Sequence, residues 1–524
     1  MSNSFHLIDW IIIGAYLAVM GGVGAYFARR QTSLNHFILA DQKMGWLPVG
    51  LSLMAALNSG MDYLMQPSST IRYGAVLVVG IVSWLPLYPW VAHVAFPFFK
   101  RLNYFTVYEY LEARFDVRVR TMAAAIFILW RLGWMATAMY VPSLAINAAT
   151  GGQVDLTTMT IIVGVLVTSY TMLGGIEAVI WNDVIQFCIM FGGLAATVGI
   201  VWWSVPGGFG EIWSVADAAG KLAVWQPLTD PNAIGAVAAV RSFFEQPMNV
   251  VALLVALIVG RMAQYTSDQV MVQRLQSTRS LPEARQAFVV NAAGDALWML
   301  GLSFVGFALF AYFQRHALPP EMATDKLVPY FMSLAFPAGA VGLVIAAIMA
   351  ASLSSIDSAI NSCTSVAVVD FYNRLWKGRD LRPGEQTDAE GRQQVRVSRL
   401  ATVLFGGLGT VLACNVGRIG TLLEINAKVV NAFTGPLFGI FLLAMFVARA
   451  RSTTALLAGV AGAYTAYYVA YQSGLGFMWP STFGLAATLV AGVGLAAVWP
   501  AAAGERGGEL TWSKVMASSR PGQA

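Results

Sequence analysis

The chain has 524 residues, 57% hydrophobic and 11% charged, with a net charge of +5 and a mean hydropathy of +0.64. Such a balance excludes a soluble domain and a disordered linker, and it predicts an all-α polytopic membrane protein whose partner is the lipid bilayer. Cys188, Cys363 and Cys414 all lie in apolar stretches and four histidines are scattered, so neither a disulfide framework nor a metal motif of soluble enzymes is expected.

Apolar stretches of about 20 residues predict about 13 spans, near 6–28, 47–72, 74–99, 120–149, 155–174, 180–203, 244–267, 284–312, 338–369, 397–415, 420–447, 452–473 and 478–499. The first is followed by Arg29 and Arg30 and reads as a retained helix with its N-terminus outside. With that parity, roughly 23 of the 32 Lys and Arg fall in inside segments, which sets the C-terminus in the cytoplasm and explains the net charge without nucleic acid. A multi-pass protein of the plasma (inner) membrane is the expectation. The expected organisation is an N-terminal extra helix and inner loop (1–46), a first five-helix set (47–203), an outer loop (204–243), a second set (244–447), two C-terminal helices (448–500) and a flexible tail (501–524). The two sets enter the membrane from opposite sides, which is what an inverted repeat requires.

In chain order, the second span is too polar at its middle, from Ala55 to Asp62, for a lipid-facing helix. A break there exposes carbonyls to a cation and helix-end amides to an anion; the plainer reading is a glycine kink with Asp62 at a watery mouth. The stretch from Phe105 to Phe115 is amphipathic and is expected along the inner surface. Arg131 lies about 11 residues into the fourth span, where an unpaired arginine costs at least ~3 kcal/mol. It needs either a protein carboxylate such as Asp62 or an anionic solute. Gly174 and Gly175 form a hinge between the fifth and sixth spans, and Asp183 beyond it either caps a helix or binds a cation. The seventh span places Arg261, Gln264 and Tyr265 near its inner half.

The ninth span carries AASLSSIDSAINSCTS, residues 350–365. On a helix Ala351, Ser354, Ser355 and Ser358 share one face beside Asp357 and Asn361. Hydroxyls and a carboxylate at membrane depth suit a small hard cation such as Na⁺; helix-helix adhesion is the alternative. In the eleventh span Lys428 and Asn431 stand one turn apart above Gly435 and Pro436, with Lys428 either lining a cavity or reaching for the interface.

Four motifs together, MLGGIEAVIWNDVIQF (172–187), SDQVMVQR (267–274), AASLSSIDSAINS (350–362) and the Gly-Pro of the eleventh span, resemble the sodium:solute symporter family, which has the leucine-transporter fold. YEYLEARF (108–115) and MYVPSLA (139–145) look more like its monocarboxylate, vitamin, iodide and sialic acid branches than its sugar branch. The resemblance implies a 5+5 inverted repeat with extra helices at both ends. It also implies a Na⁺ site made by carbonyls of Ala55, Asn58 and Ala351 with the hydroxyls of Ser354 and Ser355. A second Na⁺ at Asp183, Ser354 and Ser358 is implied for sialic-acid-type members, with Asp357 standing here where those have another hydroxyl. Arg131 matches the arginine that holds the sialic acid carboxylate, and Lys428 and Gln264 replace side chains that serve sugars. The expectation is thus a Na⁺-coupled symporter, not an enzyme, working as a monomeric unit. Its solute is expected to be a small organic anion (a monocarboxylate, sialic acid or other acidic sugar, or vitamin-like acid) contacted by Ser59, Asp62, Arg131, Gln264, Lys428 and Asn431. A neutral sugar or polyol is the alternative solute, and a membrane sensor the alternative class.

Overall fold

The computed structural model describes residues 5–28, 33–225, 227–230, 232–316, 326–380, 382, 388–417, 431–499 and 506–518. Lys428 lies outside them, and the Asn431 side chain is not among those described. Every regular element among these residues is helical, and nine helices are long and apolar enough to cross a membrane. Lipid offers backbone groups no hydrogen bonds, so a spanning chain satisfies them within each helix.

The helices that frame the site are α1 (Leu7–Ala28), α2 (Leu34–Leu39), α3 (Trp46–Leu57), α4 (Gly60–Tyr73), α5 (Val107–Arg114), α6 (Val117–Ala149), α7 (Leu156–Ser204), α8 (Val250–Ser267), α9 (Gln269–Gln276), α10 (Leu281–Arg315), α11 (Ala340–Val366), α12 (Asp388–Val416) and α13 (Asn431–Phe446). A helical run over 74–102 joins α4 to α5. Two groups emerge from the packing. In one, α6, α7, α11 and α12 lie against each other, with α1 on α7 and α11. In the other, α10 packs on α3 and α4, and the 74–102 run packs on α4, α8 and α10. The halves α3 and α4 face α11 across the boundary between the groups.

The serine-rich helix α11 is the most enclosed span, and every residue from Val344 to Val366 is buried. Its start is anchored from outside the repeat. Asp9 of α1, fully buried, accepts the amides of Gly339 (2.9 Å) and Gly342 (2.6 Å), filling the anion position that a helix N-terminus offers.

Breaks and hinges fall where the backbone leaves helical space. Asn58 and Ser59 are extended (φ −98° and −124°), dividing the second span into α3 and α4. Gly175 turns with φ 57°, a conformation that costs a side-chain-bearing residue, and folds α7 into the fifth and sixth spans. Asp268 (φ −99°, ψ 115°) divides α8 from α9.

Three expectations are corrected. The segment after the seventh span is not an inner loop: α9 is helical with all eight residues buried, because Gln269 and Gln273 find backbone carbonyls at Phe105 and Ile38. The amphipathic helix α5 is covered by the protein itself and not left with an open apolar face. Its Tyr108 hydroxyl donates to the Ser267 carbonyl at 2.8 Å, and Val107, Tyr110 and Leu111 are buried. Residues 506–518 of the tail are docked, with the Trp512 indole donating to the Val94 carbonyl (3.1 Å) and Arg101 to the Val515 carbonyl (3.1 Å).

Candidate functional site

The first break meets α11 in a nest of oxygens. The Ser354 hydroxyl donates to the Ala55 and Ala351 carbonyls, both at 2.9 Å, and the Ser355 hydroxyl to the Asn58 carbonyl at 2.9 Å, with Ala351 O at 3.3 Å. The Ala55 and Asn58 carbonyls are available because a helix that ends leaves its last C=O groups without intrahelical partners, whereas the Ala351 carbonyl lies within α11. Ala55, Asn58, Ala351, Ser354 and Ser355 are all buried. Carbonyl and hydroxyl oxygens are the ligands a small hard cation takes, and five of them are gathered here with the two hydroxyls 2.9 to 3.3 Å from the carbonyls. The approach depends on Gly60: a Cβ there would come within 2.6 Å of the Ile348 carbonyl and nearer still to the Ser352 hydroxyl.

One turn along α11 lies a second polar cluster. Asp183 accepts hydrogen bonds from Ser52 (2.5 Å) and Arg274 (3.0 Å), while its Oδ1 is buried without a partner. Arg274 also donates to Ser358 and, through Nε, to Ser52 at 2.8 Å. Asp357 takes the Tyr170 hydroxyl (3.2 Å) and lies 3.3 Å from the Ser358 hydroxyl. Asp183, Ser354, Asp357 and Ser358 are therefore neighbours, but a guanidinium stands among them. Arg274 closes SDQVMVQR without a role assigned to it by sequence; a basic residue ending an otherwise apolar, glutamine-spaced segment is the available signal.

Beside the first break opens a cavity of about 290 Å³, lined by Asn58, Asp62, Trp134, Arg261, Gln264, Asp295 and Trp298 among others. Asp62 and Gln264 are thus placed on its wall. Ser59 is fully buried and acts as the N-cap of α4, its side chain accepting the Met61 amide while Asp62 accepts the Ser59 amide at 2.6 Å. Arg131 does not line the cavity and does not pair with Asp62. It forms a buried ion pair with Asp268 at the second break and stacks 4.4 Å from the Trp130 ring. Arg261 and Asp295, neither assigned a role by sequence, pair at 2.7 Å on the cavity wall, with Ser83 and the Trp84 face completing the guanidinium's surroundings. Asp295 sits in a long apolar helix, and only its isolation among greasy neighbours pointed to a partner.

Two helix groups, broken helices facing an unbroken hydroxyl-lined one, and a polar cavity at the boundary define a secondary transporter of the leucine-transporter fold. The chain belongs to the sodium:solute symporter family, whose model matches residues 37–462. It is 30% identical over 502 residues to the sodium/sialic acid symporter NanT of Aliivibrio fischeri, covering 94% of this chain and 93% of that one. To the sodium-dependent multivitamin transporter of Oryctolagus cuniculus it is 31% identical over 484 residues, covering 90% and 72%. A solved structure of a Na⁺-coupled sialic acid symporter in a substrate-bound outward-open state superposes with a TM-score of 0.83 at 28% identity, covering 95% of this chain and 99% of that one. The protein is a sodium-coupled, multi-pass membrane transporter and not an enzyme.

Proposed function

We propose that the protein imports a small organic anion with Na⁺ by alternating access. The observation that carries this is the five-oxygen cage shared by the end of α3 and by α11, immediately beside the cavity at Asn58. Na⁺ bound by Ala55, Asn58, Ala351, Ser354 and Ser355 ties the two helix groups together and favours the solute-ready state by differential binding. The NanT-like and multivitamin-type relatives support an acid as solute. Its carboxylate is taken by Arg131, which exchanges Asp268 for the solute; Ser59, Asp62, Gln264, Lys428 and Asn431 complete the contacts. Because Arg131 belongs to one group and Asp268 to the other, that exchange loosens one link between the groups as the solute is captured.

A second Na⁺ held by Asp183, Ser354, Asp357 and Ser358 belongs to the same reading, with Arg274 as the internal cation it displaces. The end carrying Lys100, Arg101 and Arg118 faces the cytoplasm of a plasma membrane, with the N-terminus outside. Cage and cavity lie within one chain, which supports the monomer as the working unit. Each Na⁺ moving inward gains ~2.3 kcal/mol per 100 mV, and a monovalent acid cancels one such charge. In proteoliposomes, Na⁺-driven uptake is expected together with one net positive charge per acid if two Na⁺ enter, and none if one does. Ser354→Ala with Ser355→Ala should abolish Na⁺ stimulation; accumulation that survives both changes sinks the proposal.

A further inference from the structure

Resting on that reading, we infer that the solute is not a plain alkyl or aryl monocarboxylate but an acid whose other end presents hydrogen-bond donors, hydroxyl or ammonium, to Asp62. A discontinuous helix ordinarily offers a solute carboxylate the free amides at the start of its second half. Here two of those amides already have acceptors within the chain. The Ser59 amide goes to the Asp62 carboxylate at 2.6 Å and the Met61 amide to the Ser59 hydroxyl at 3.2 Å, so the positive end of α4 is closed by the chain's own anion. What the solute meets there is a carboxylate, which only accepts hydrogen bonds.

The opposite wall repeats that chemistry. Asp295 also lines the cavity, and its one lining counter-charge, Arg261, has its guanidinium donors directed at Ser83, Asp295 and the Met299 sulfur. Among the described lining residues, two carboxylates thus face one guanidinium. A solute that is all apolar beyond its carboxylate would desolvate Asp62 and add nothing to the hydrogen bond from the Ser59 amide, an unfavourable arrangement for a buried charge with acceptor capacity to spare. Donors on the solute remove that penalty. Trp298, only 1% exposed, also lines the cavity, and its buried indole N–H has no hydrogen-bond partner among the described residues.

The test uses the full-length protein in detergent or nanodiscs and a matched panel of acids, binding being measured by calorimetry with and without Na⁺. Cyclohexanecarboxylate carries no donor, quinate carries hydroxyls, aminomethyl-cyclohexanecarboxylate carries an ammonium, and N-acetylneuraminate is a larger hydroxylated acid. At least one donor-bearing acid should bind at least tenfold more tightly than cyclohexanecarboxylate in Na⁺, and Asp62→Leu should erase that gap. Asp62→Asn keeps an acceptor without the charge and preserves the α4 cap, so it separates the two donor types: preference for a hydroxylated acid survives it, preference for an ammonium acid does not. Cyclohexanecarboxylate binding as tightly as every other member overturns the inference while leaving the anion reading in place. If none of the four acids shows Na⁺-dependent binding while a neutral polyol does, the anion reading itself falls and this inference with it.

Discussion

The two helix breaks solve one problem in opposite ways. At the first, Asn58 and Ser59 interrupt the span with neutral groups, and the freed carbonyls of Ala55 and Asn58 face neutral hydroxyls on α11. At the second, the interrupting residue is itself charged, and Asp268 is met by Arg131 from the other helix group. Both join the same two groups. On the proposed reading the first junction gains its full strength only from a cation that can arrive and leave, whereas the second carries its counter-charge in the chain. A transporter needs both: a junction responsive to the ion, and one that holds until something with a competing charge arrives.

The largest expected effect breaks the second junction. Arg131→Gln or Asp268→Asn leaves an unpaired buried charge and should cost about 3 to 5 kcal/mol of stability, read as a lowered thermal midpoint in the absence of solute. Replacing both with neutral residues should cost less than either alone, and equal or additive losses would show that the pair is not coupled. An intermediate effect sharpens the contrast. At a Na⁺ concentration a hundredfold above its Kd, the ion should stabilise the protein by about 2.7 kcal/mol. That gain should vanish in the Ser354→Ala, Ser355→Ala variant and persist in Asp268→Asn; a Na⁺ response that depends on Asp268 instead would merge the two junctions into one. The smallest effect is at the cavity wall between them. Gln264→Ala removes neutral hydrogen bonds worth about 0.5 to 1.5 kcal/mol, so KM for the solute should rise roughly two- to tenfold with Na⁺ affinity unchanged.

How much of this was legible follows from the kind of signal each residue gave. The cage was readable because hydroxyls repeated at helical spacing in an apolar span are anomalous, and the first break because Ala55 to Asp62 lacks bulky side chains. Gly174 and Gly175 marked their hinge. The second break was hidden: Ser267, Asp268 and Gln269 look like a span leaving the membrane, and nothing local says that the polar helix after them turns back into protein. Partners distant in sequence were equally invisible. The Arg131 charge announced a need without naming Asp268, Asp183 gave no hint of Arg274, and nothing near Asp9 points to Gly339 or Gly342. The stretch around Tyr108 was misplaced for a related reason, since an amphipathic face shows that something apolar is covered but not whether lipid or protein covers it.

The Asp9 contact bears on which part of the machine turns. Pinned through Gly339 and Gly342 to α1, α11 is fixed at its start in the manner of a stator. In the proposed cycle the element expected to swing away when sodium departs is the split one formed by α3 and α4, which assigns the stroke to the rotor that carries Asp62 and not to the serines.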